Sequence, residues 1–133
     1  ALLKGFNFNN KAILGSILFK PYAVATATGI ITITGLVPLT DIAFPEGATH
    51  VSFKSSWAKV DFTNNVSDVK LSNVVNLPIN AVSANVVLTP TAAALGAGIN
   101  LFVLQLEFFQ LVNAIQYTMK NGTYNALCIV EVS

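Results

Sequence analysis

The chain has 133 residues, no arginine, and a formal net charge of +1 from seven lysines and six acidic residues. This length is typical of one domain that folds without metals or disulfides, and the missing arginine and weak charge argue against nucleic-acid binding. Only 10% of the residues are charged and 53% are apolar, which leaves the surface weakly protected against association.

Neither a membrane span nor a secretory signal is predicted. The densest apolar candidate, residues 92–106, is too short for a span and contains two glycines and an asparagine. The N-terminus lacks a charged region followed by an apolar core, and the sequence starts without methionine. We therefore expect one domain over residues 1–133, processed or cut from a longer precursor and lacking an N-terminal portion of it.

Two short strands are predicted at residues 22–27 and 30–34, where β-branched residues alternate. Thr28-Gly29 forms the turn between them, because glycine readily adopts positive φ. In the second strand Ile31 and Ile33 share one face and Thr32 and Thr34 share the other, and Gly35 and Pro38 end the run.

A longer strand is predicted from residue 50 onward, and its apolar face changes midway. Val51 and Trp57 share one face, whereas the apolar residues from Val60 onward fall on the other. A change of face by one residue requires a bulge or a tight turn. We place that irregularity at residues 56–59.

The middle of the chain predicts a polar loop and two further strands. The loop covers residues 63–68, and one strand follows at residues 69–79, with Val69 and Leu71 on its apolar face. Another strand lies around residues 82–88 and stops before a proline. Residues 92–98 form either one helical turn or a loop, and the two glycines favour the loop.

The last third predicts three strands. Residues 101–109 alternate between a uniformly apolar face and a face that carries the polar residues, which is the period of a strand and not of a helix. The chain turns at residues 111–115, returns over 115–119, turns again at 120–123 and ends in a strand over 124–132. In that strand Ala126, Cys128, Val130 and Val132 share one face. We expect the last strand to lie beside the 101–109 strand, joined to it through the return segment.

Eight or nine strands with turn signals between them predict an all-β fold. The architecture expected is an antiparallel immunoglobulin-like β-sandwich of about 7–9 strands, with a barrel as the alternative. No helix longer than about two turns is expected. The predicted core consists of Phe53, Trp57, Phe102, Leu104, Leu106, Phe108, Cys128 and Val130.

The sequence predicts no catalytic residue, metal site or cofactor. His50 is the only histidine, and a zinc site or a triad needs further partners beside it. The six acids are scattered, without the short spacing of calcium loops. The lone Cys128 lies among apolar residues, which indicates a buried structural thiol.

Three tyrosines are the candidate ligand-binding residues. Tyr22, Tyr117 and Tyr124 would form a sugar-binding platform if their rings were exposed together, although tyrosines also occur at sandwich edges with a wet hydroxyl. Two glycosylation sequons begin at Asn65 and Asn121, and the second is more simply explained as a hairpin turn.

Three sequence blocks resemble a known family. They are "LFKPY" at residues 18–22, "FPEGATHVSF" at 44–53 and "LEFFQLVNAIQYTMKNGTYNALCIVEV" at 106–132. Together they are similar to a family of small proteins from Bacteroidota, the Flavobacterium and Bacteroides group. The resemblance implies a bacterial source, under which the sequons have no meaning, and a further N-terminal portion rich in lysine and glycine. It implies no activity and no site residue.

The function predicted from these features is a non-enzymatic structural or interaction role, with self-association or another protein as the partner. The alternative is a carbohydrate- or peptide-binding module at the cell surface, and an enzyme ranks third. Self-association predicts a contact at a sheet edge or at an Asn/Thr-rich face. A carbohydrate module predicts coplanar exposed aromatic rings, and an enzyme predicts converging carboxylates or His50 beside a nucleophile.

Overall fold

The computed structural model describes residues 14–44, 46–96, 98–118 and 125–132. Within these residues the chain forms nine strands and two four-residue helices, in the order α1 (Leu14–Ile17), β1 (Ala23–Ala25), β2 (Ile30–Leu36), α2 (Pro38–Asp41), β3 (His50–Asp61), β4 (Val66–Leu71), β5 (Val75–Pro78), β6 (Ala84–Leu88), β7 (Ile99–Val112), β8 (Ile115–Thr118) and β9 (Ala126–Val132). The prediction of an all-β fold without a long helix is therefore confirmed for the described part of the chain.

The larger of the two sheets has six strands. Its long central strands, β3 and β7, pair antiparallel from His50 opposite Phe109 to Val60 opposite Ile99. On the far side of β3, β5 and β4 follow one another along the same edge. On the far side of β7, β8 and β9 do the same. The prediction that the last strand lies beside the 101–109 strand is thus confirmed, because β9 pairs directly with β7.

The smaller sheet has three antiparallel strands in the order β1-β2-β6. Its inward face contributes fully buried side chains to a core shared with the larger sheet, and these are Ile31, Ile33, Val86 and Leu88. Ile31 and Ile33 of β2 are buried while Thr32 and Thr34 are not, as the alternation predicts. The two sheets pack like the layers of a sandwich.

The eight residues predicted for the core are all buried. The phenylalanines and leucines among them have no exposed surface, and Trp57, Cys128 and Val130 are almost completely covered. The Trp57 ring contacts the Phe102 ring at a centroid distance of 5.4 Å, and its Nε1 donates a hydrogen bond to Asn100 Oδ1 at 2.9 Å. A buried indole N–H normally requires such an acceptor.

The bulge predicted at residues 56–59 is wrong. The β3–β7 register runs from His50 to Val60 without an extra residue. Val60 lies on the outer face of the sheet and is half-buried there, while Phe62 follows the strand in an exposed turn. Apolar residues therefore occupy both faces at this end of β3, and the change of face in the sequence reflects no change in the backbone.

Register shifts occur instead in two other strands. In β9, Phe102 faces Glu131 but Val103 faces Ile129, so the ladder skips Val130. This bulge places Val132 opposite Leu101, on the face away from Cys128, which corrects the predicted common face. The sequence conceals the shift because Ile129 and Val130 are both apolar and both buried.

The second shift lies in β2, where Gly35 was predicted to end the strand. Gly35 has a φ of +67° and sits inside the strand, and the register with β6 changes between Ile33 and Leu36. The Gly35 N–H donates a hydrogen bond to Asn85 Oδ1 at 2.9 Å. The extra residue rotates Leu36 onto the core face, where it is fully buried.

The turn predicted between the first two strands also differs from the structure. The chain between β1 and β2 needs the four residues 26–29, because Ala25 pairs with Ile30, and only Gly29 in this loop has positive φ. A Cβ at Gly29 would lie 2.5 Å from the Trp57 ring, so the loop packs on the indole. Residues 92–96 and 98 form a loop, as favoured, and residue 97 lies outside the described residues.

The polar loop at 63–68 is shorter than predicted, since β4 already starts at Val66. The single strand predicted at 69–79 is two strands, β4 and β5, separated by residues 72–74. Ser72 closes this gap: its N–H donates to the Ser55 carbonyl at 2.9 Å, and its Oγ accepts a hydrogen bond from the Ser55 N–H at 2.8 Å.

Asn73, next in the chain, bonds to the other sheet. Its Oδ1 accepts a hydrogen bond from the Thr89 N–H, and its Nδ2 donates to the Val87 carbonyl. The amide therefore satisfies the open side of β6 in place of a further strand.

Candidate functional site

His50 lies beside a hydroxyl, as the enzyme alternative requires. Thr49 Oγ1 is 3.0 Å from His50 Nδ1. The same hydroxyl accepts a hydrogen bond from the Leu111 N–H at 2.7 Å and lies 3.4 Å from the Phe109 carbonyl. These backbone contacts tie Thr49 to β7, so the hydroxyl serves a structural purpose. No group of three potential metal ligands occurs among the described residues.

The carboxylates hold turns and strands in place. Asp41 accepts a hydrogen bond from the Val37 N–H at the start of α2, and Glu107 accepts one from Gln105. Asp61 accepts bonds from residues 63 and 64 in the turn after β3. The Asn64 side-chain bond is the main cause that lowers the Asp61 pKa.

Asp68 fastens the loop at residues 91–96 to β4. Its Oδ2 accepts a hydrogen bond from the Leu95 N–H at 2.7 Å, and its Oδ1 forms an ion pair with Lys70 at 3.4 Å. The Leu95 bond is the largest cause that lowers the Asp68 pKa, and the positive charge of Lys70 adds to it. Both contacts favour the ionised carboxylate.

Cys128 is buried at 4% exposure and free, as predicted. Burial raises the pKa of its thiol, because the core disfavours the thiolate. The protonated thiol approaches the Ile129 carbonyl at 3.6 Å. These features suit a packing role and not a reactive one.

The hairpin end formed by β7 and β8 is the most unusual surface in the described part of the chain. We call residues 110–117 the arm. They continue past the last β3–β7 pair, and all eight are exposed. The arm contains four large apolar side chains that are 43–55% exposed, namely Leu111, Val112, Ile115 and Tyr117. No charged residue lies between Glu107 and Lys120.

The arm ends in a two-residue turn. Val112 pairs with Ile115, and the intervening Asn113 and Ala114 have φ of 51° and 65°. Positive φ at both central positions defines a type I′ turn, whose twist matches that of a hairpin. The predicted turn at 111–115 is confirmed, although Ala114 is an unfavourable residue there.

The arm bends over the outer face of the larger sheet. Asn76 of β5 and Gln116 of β8 exchange two side-chain hydrogen bonds, of 2.9 and 3.2 Å. In a flat sheet these strands would be about 14 Å apart, since β3 and β7 lie between them at about 4.8 Å per step. The sheet is therefore strongly curved here, and Ser52 beneath, which accepts a bond from Asn76, is only 7% exposed.

An open cleft lies on the smaller sheet beside β1. It has a volume of about 370 Å³ and is lined by Lys20, Pro21, Tyr22, Ala23, Thr32 and Thr34. Burial is the largest cause that raises the Tyr22 pKa, and the negative charges that Cys128 and Glu131 can carry add to it. The Tyr22 hydroxyl is therefore neutral at ordinary pH and can both donate and accept hydrogen bonds.

The candidate tyrosines do not form one platform. Tyr22 lies in the cleft of the smaller sheet, whereas Tyr117 lies on the arm of the larger sheet. Tyr124 and the sequon at Asn121 lie outside the described residues. Asn65 has a φ of 53° in the exposed turn between β3 and β4.

The sequence pattern identifies Tyr117 as a candidate residue but does not identify the arm as a unit. Its signal was present as an uncharged run of twelve residues, 108–119.

Among the described residues no helix has the length and apolar character needed to cross a membrane. No protein-family model, curated protein or solved structure matches the chain, so the resemblance to the Bacteroidota family stays a prediction.

Proposed function

We propose that this chain is a non-enzymatic protein that associates with copies of itself. The observation that carries the proposal is the arm, an uncharged hairpin end with four exposed apolar side chains. Large exposed apolar patches typically mark interaction sites. The remaining surface offers little charge to oppose contact between two copies, because the net charge is only +1.

We expect such a contact to bury more than about 1,000 Å² of accessible surface, which is the area above which an interface is usually specific. We expect the association to resist salt. Salt screens and weakens contacts between charged groups, and the arm has no charged residue.

The test is sedimentation velocity of the chain at 1 to 100 μM, in 0.1 M and 1 M NaCl. We expect a species heavier than the 14.1 kDa monomer, with a distribution that does not change with salt. A monomer at every concentration would refute self-association. A complex that dissociates in 1 M NaCl would show that charges hold it together and would remove the arm as its basis.

A second candidate function is carbohydrate or peptide binding at the cell surface. The observation that favours it is the cleft beside β1, which joins an amine, a phenol and two threonines around about 370 Å³. Small-molecule sites commonly have volumes of about 300–1,000 Å³. Titration calorimetry with a panel of oligosaccharides and the Tyr22→Ala variant tests it: binding that Tyr22→Ala abolishes would support this function over self-association.

The immunoglobulin-like type of the sandwich also belongs to this proposal. It is supported by Trp57, which packs in the core against Gly29, in the loop that joins two strands of the smaller sheet, and against Phe102 of the larger sheet. A buried tryptophan between the sheets is typical of immunoglobulin domains.

A further inference from the structure

The open edges of the two sheets differ in how well they are protected. An unprotected edge strand offers unpaired N–H and C=O groups to another chain, and proteins normally block it with charges, prolines or a covering element.

Most of the edges carry such a device. β4 contains Asp68 and Lys70, and the Leu95 loop is fastened to it. β5 ends on Pro78. β6 is satisfied by the Asn73 side chain. α1 packs against β9, and β1 is only three residues long and follows closely after a proline.

β8 has none of these devices. Its four residues, Ile115–Thr118, contain no charge and no proline, and within the described residues β8 pairs with β7 alone. In a hairpin with a two-residue turn, the residues that flank the turn exchange hydrogen bonds, and bonded pairs then alternate. Val112–Ile115 and Gln110–Tyr117 are the bonded pairs, so the main-chain groups of Gln116 point away from β7.

We propose that β8 is the self-association edge, and that it pairs antiparallel with β8 of a second copy. This inference rests on the proposed function and names the surface that performs it. A two-fold axis perpendicular to the sheet brings identical edges together antiparallel, which is the isologous arrangement of most dimers. The six-stranded sheets of the two copies then form one continuous sheet.

The side chains of the arm favour a second copy as the occupant. The two copies bring no charge into the contact, so no like charges meet across the axis. Ile115 and Tyr117 alternate with Gln116 along the edge, and their exposed fractions of 55% and 54% become covered by the same residues of the partner. Cross-strand pairs of aromatic and β-branched residues stabilise such a ladder.

The decisive variant is Gln116→Pro, with Gln116→Ala as its matched control. Proline removes the outward N–H and is tolerated where that N–H faces solvent, so the β7–β8 ladder stays intact. Both variants lose the side-chain bonds to Asn76, but only proline loses the main-chain donor. We expect Gln116→Pro to weaken dimerisation about tenfold or more relative to Gln116→Ala.

Tyr117→Lys is a second variant, which places two positive charges near the axis without changing the backbone. We expect it to give a monomer at concentrations where Tyr117→Phe remains a dimer. The measurement for all four variants is sedimentation equilibrium, with circular dichroism to verify the fold.

If the unaltered chain associates and both Gln116→Pro and Tyr117→Lys associate equally well, the β8 edge is wrong, and self-association through another surface stands. If the unaltered chain is a monomer, the proposed function fails first. Dissociation of folded Gln116→Pro and Tyr117→Lys, with both controls dimeric, supports the β8 pairing.

Discussion

Substitutions at Ser55 and Ser72 should change stability in opposite directions. Ser55 Oγ is buried without a hydrogen-bond partner among the described residues, in a residue that is 2% exposed. A buried hydroxyl without a partner costs about 1–3 kcal/mol of desolvation. Ser55→Ala removes this cost and keeps the main chain, so we expect it to stabilise the fold by about 1 kcal/mol.

Ser72→Ala is the matched control. Its Oγ accepts the hydrogen bond that the buried Ser55 N–H donates, at 2.8 Å, and donates to the Asn73 carbonyl at 2.7 Å. The substitution leaves a buried N–H unpaired, so we expect a loss of about 1–3 kcal/mol. The double variant should show nearly additive changes, because Ser72 bonds the main chain of Ser55 and not its hydroxyl.

Urea unfolding, followed by Trp57 fluorescence, measures both effects. With a slope of about 2 kcal/mol per molar urea, a gain of 1 kcal/mol raises the midpoint by about 0.5 M. A lower midpoint for Ser55→Ala, with the slope unchanged, would show that the hydroxyl does have a partner in the folded chain. It would refute the reasoning from its burial.

Two further substitutions test the turn of the arm and the loop contact of β4. Ala114→Gly should stabilise the fold by about 0.5–1 kcal/mol, since left-handed φ costs a non-glycine residue about 1–2 kcal/mol and the extra entropy of glycine in the unfolded chain offsets part of the gain. Asn113→Gly is the control and should change the urea midpoint less. A lower midpoint for Ala114→Gly would contradict the turn type. Asp68 has a lowered pKa, so its stabilising contribution is complete above the unfolded value of 3.8 and is lost as pH falls through the lower folded value. Asp68→Asn should therefore reduce the dependence of thermal stability on pH below 3.8, and an unchanged dependence would exclude Asp68 as a source of it.

The sequence predicts the core better than the connections, for a physical reason. In β7 one face is apolar from Phe102 to Phe108, and in the first half of β3 Val51, Phe53 and Trp57 share a face, so a strand assigned with the correct period places Phe53 and Phe102 inside. Alternation fails where both faces are apolar, as at Ile129 and Val130, because no polar residue then marks a change of register. The bulge in β9 is invisible in the sequence for this reason.

The division of residues 69–79 into two strands depends on contacts that are distant in sequence. Ser72 bonds to Ser55, and Asn73 bonds to β6; neither partner can be read from the local pattern. The arm was likewise only partly predictable from the sequence. The uncharged run of the arm was visible in the sequence, but its open edge was not, because an edge is defined by the strands that do not pair with it.

The pairing of β3 with β7 also determines how this chain must fold in time. His50 meets Phe109 across the ladder, about sixty residues later in the sequence, and such distant contacts slow folding because a long loop must close first. The hairpins β1–β2, β3–β4 and β7–β8 need only short loops, so they can form early. During synthesis β3 is therefore made before β7, its pairing partner, and Phe53 and Trp57 remain uncovered until β7 has been made. Uncovered apolar surface of this kind is prone to aggregation, so this interval is when the nascent chain is most vulnerable to it.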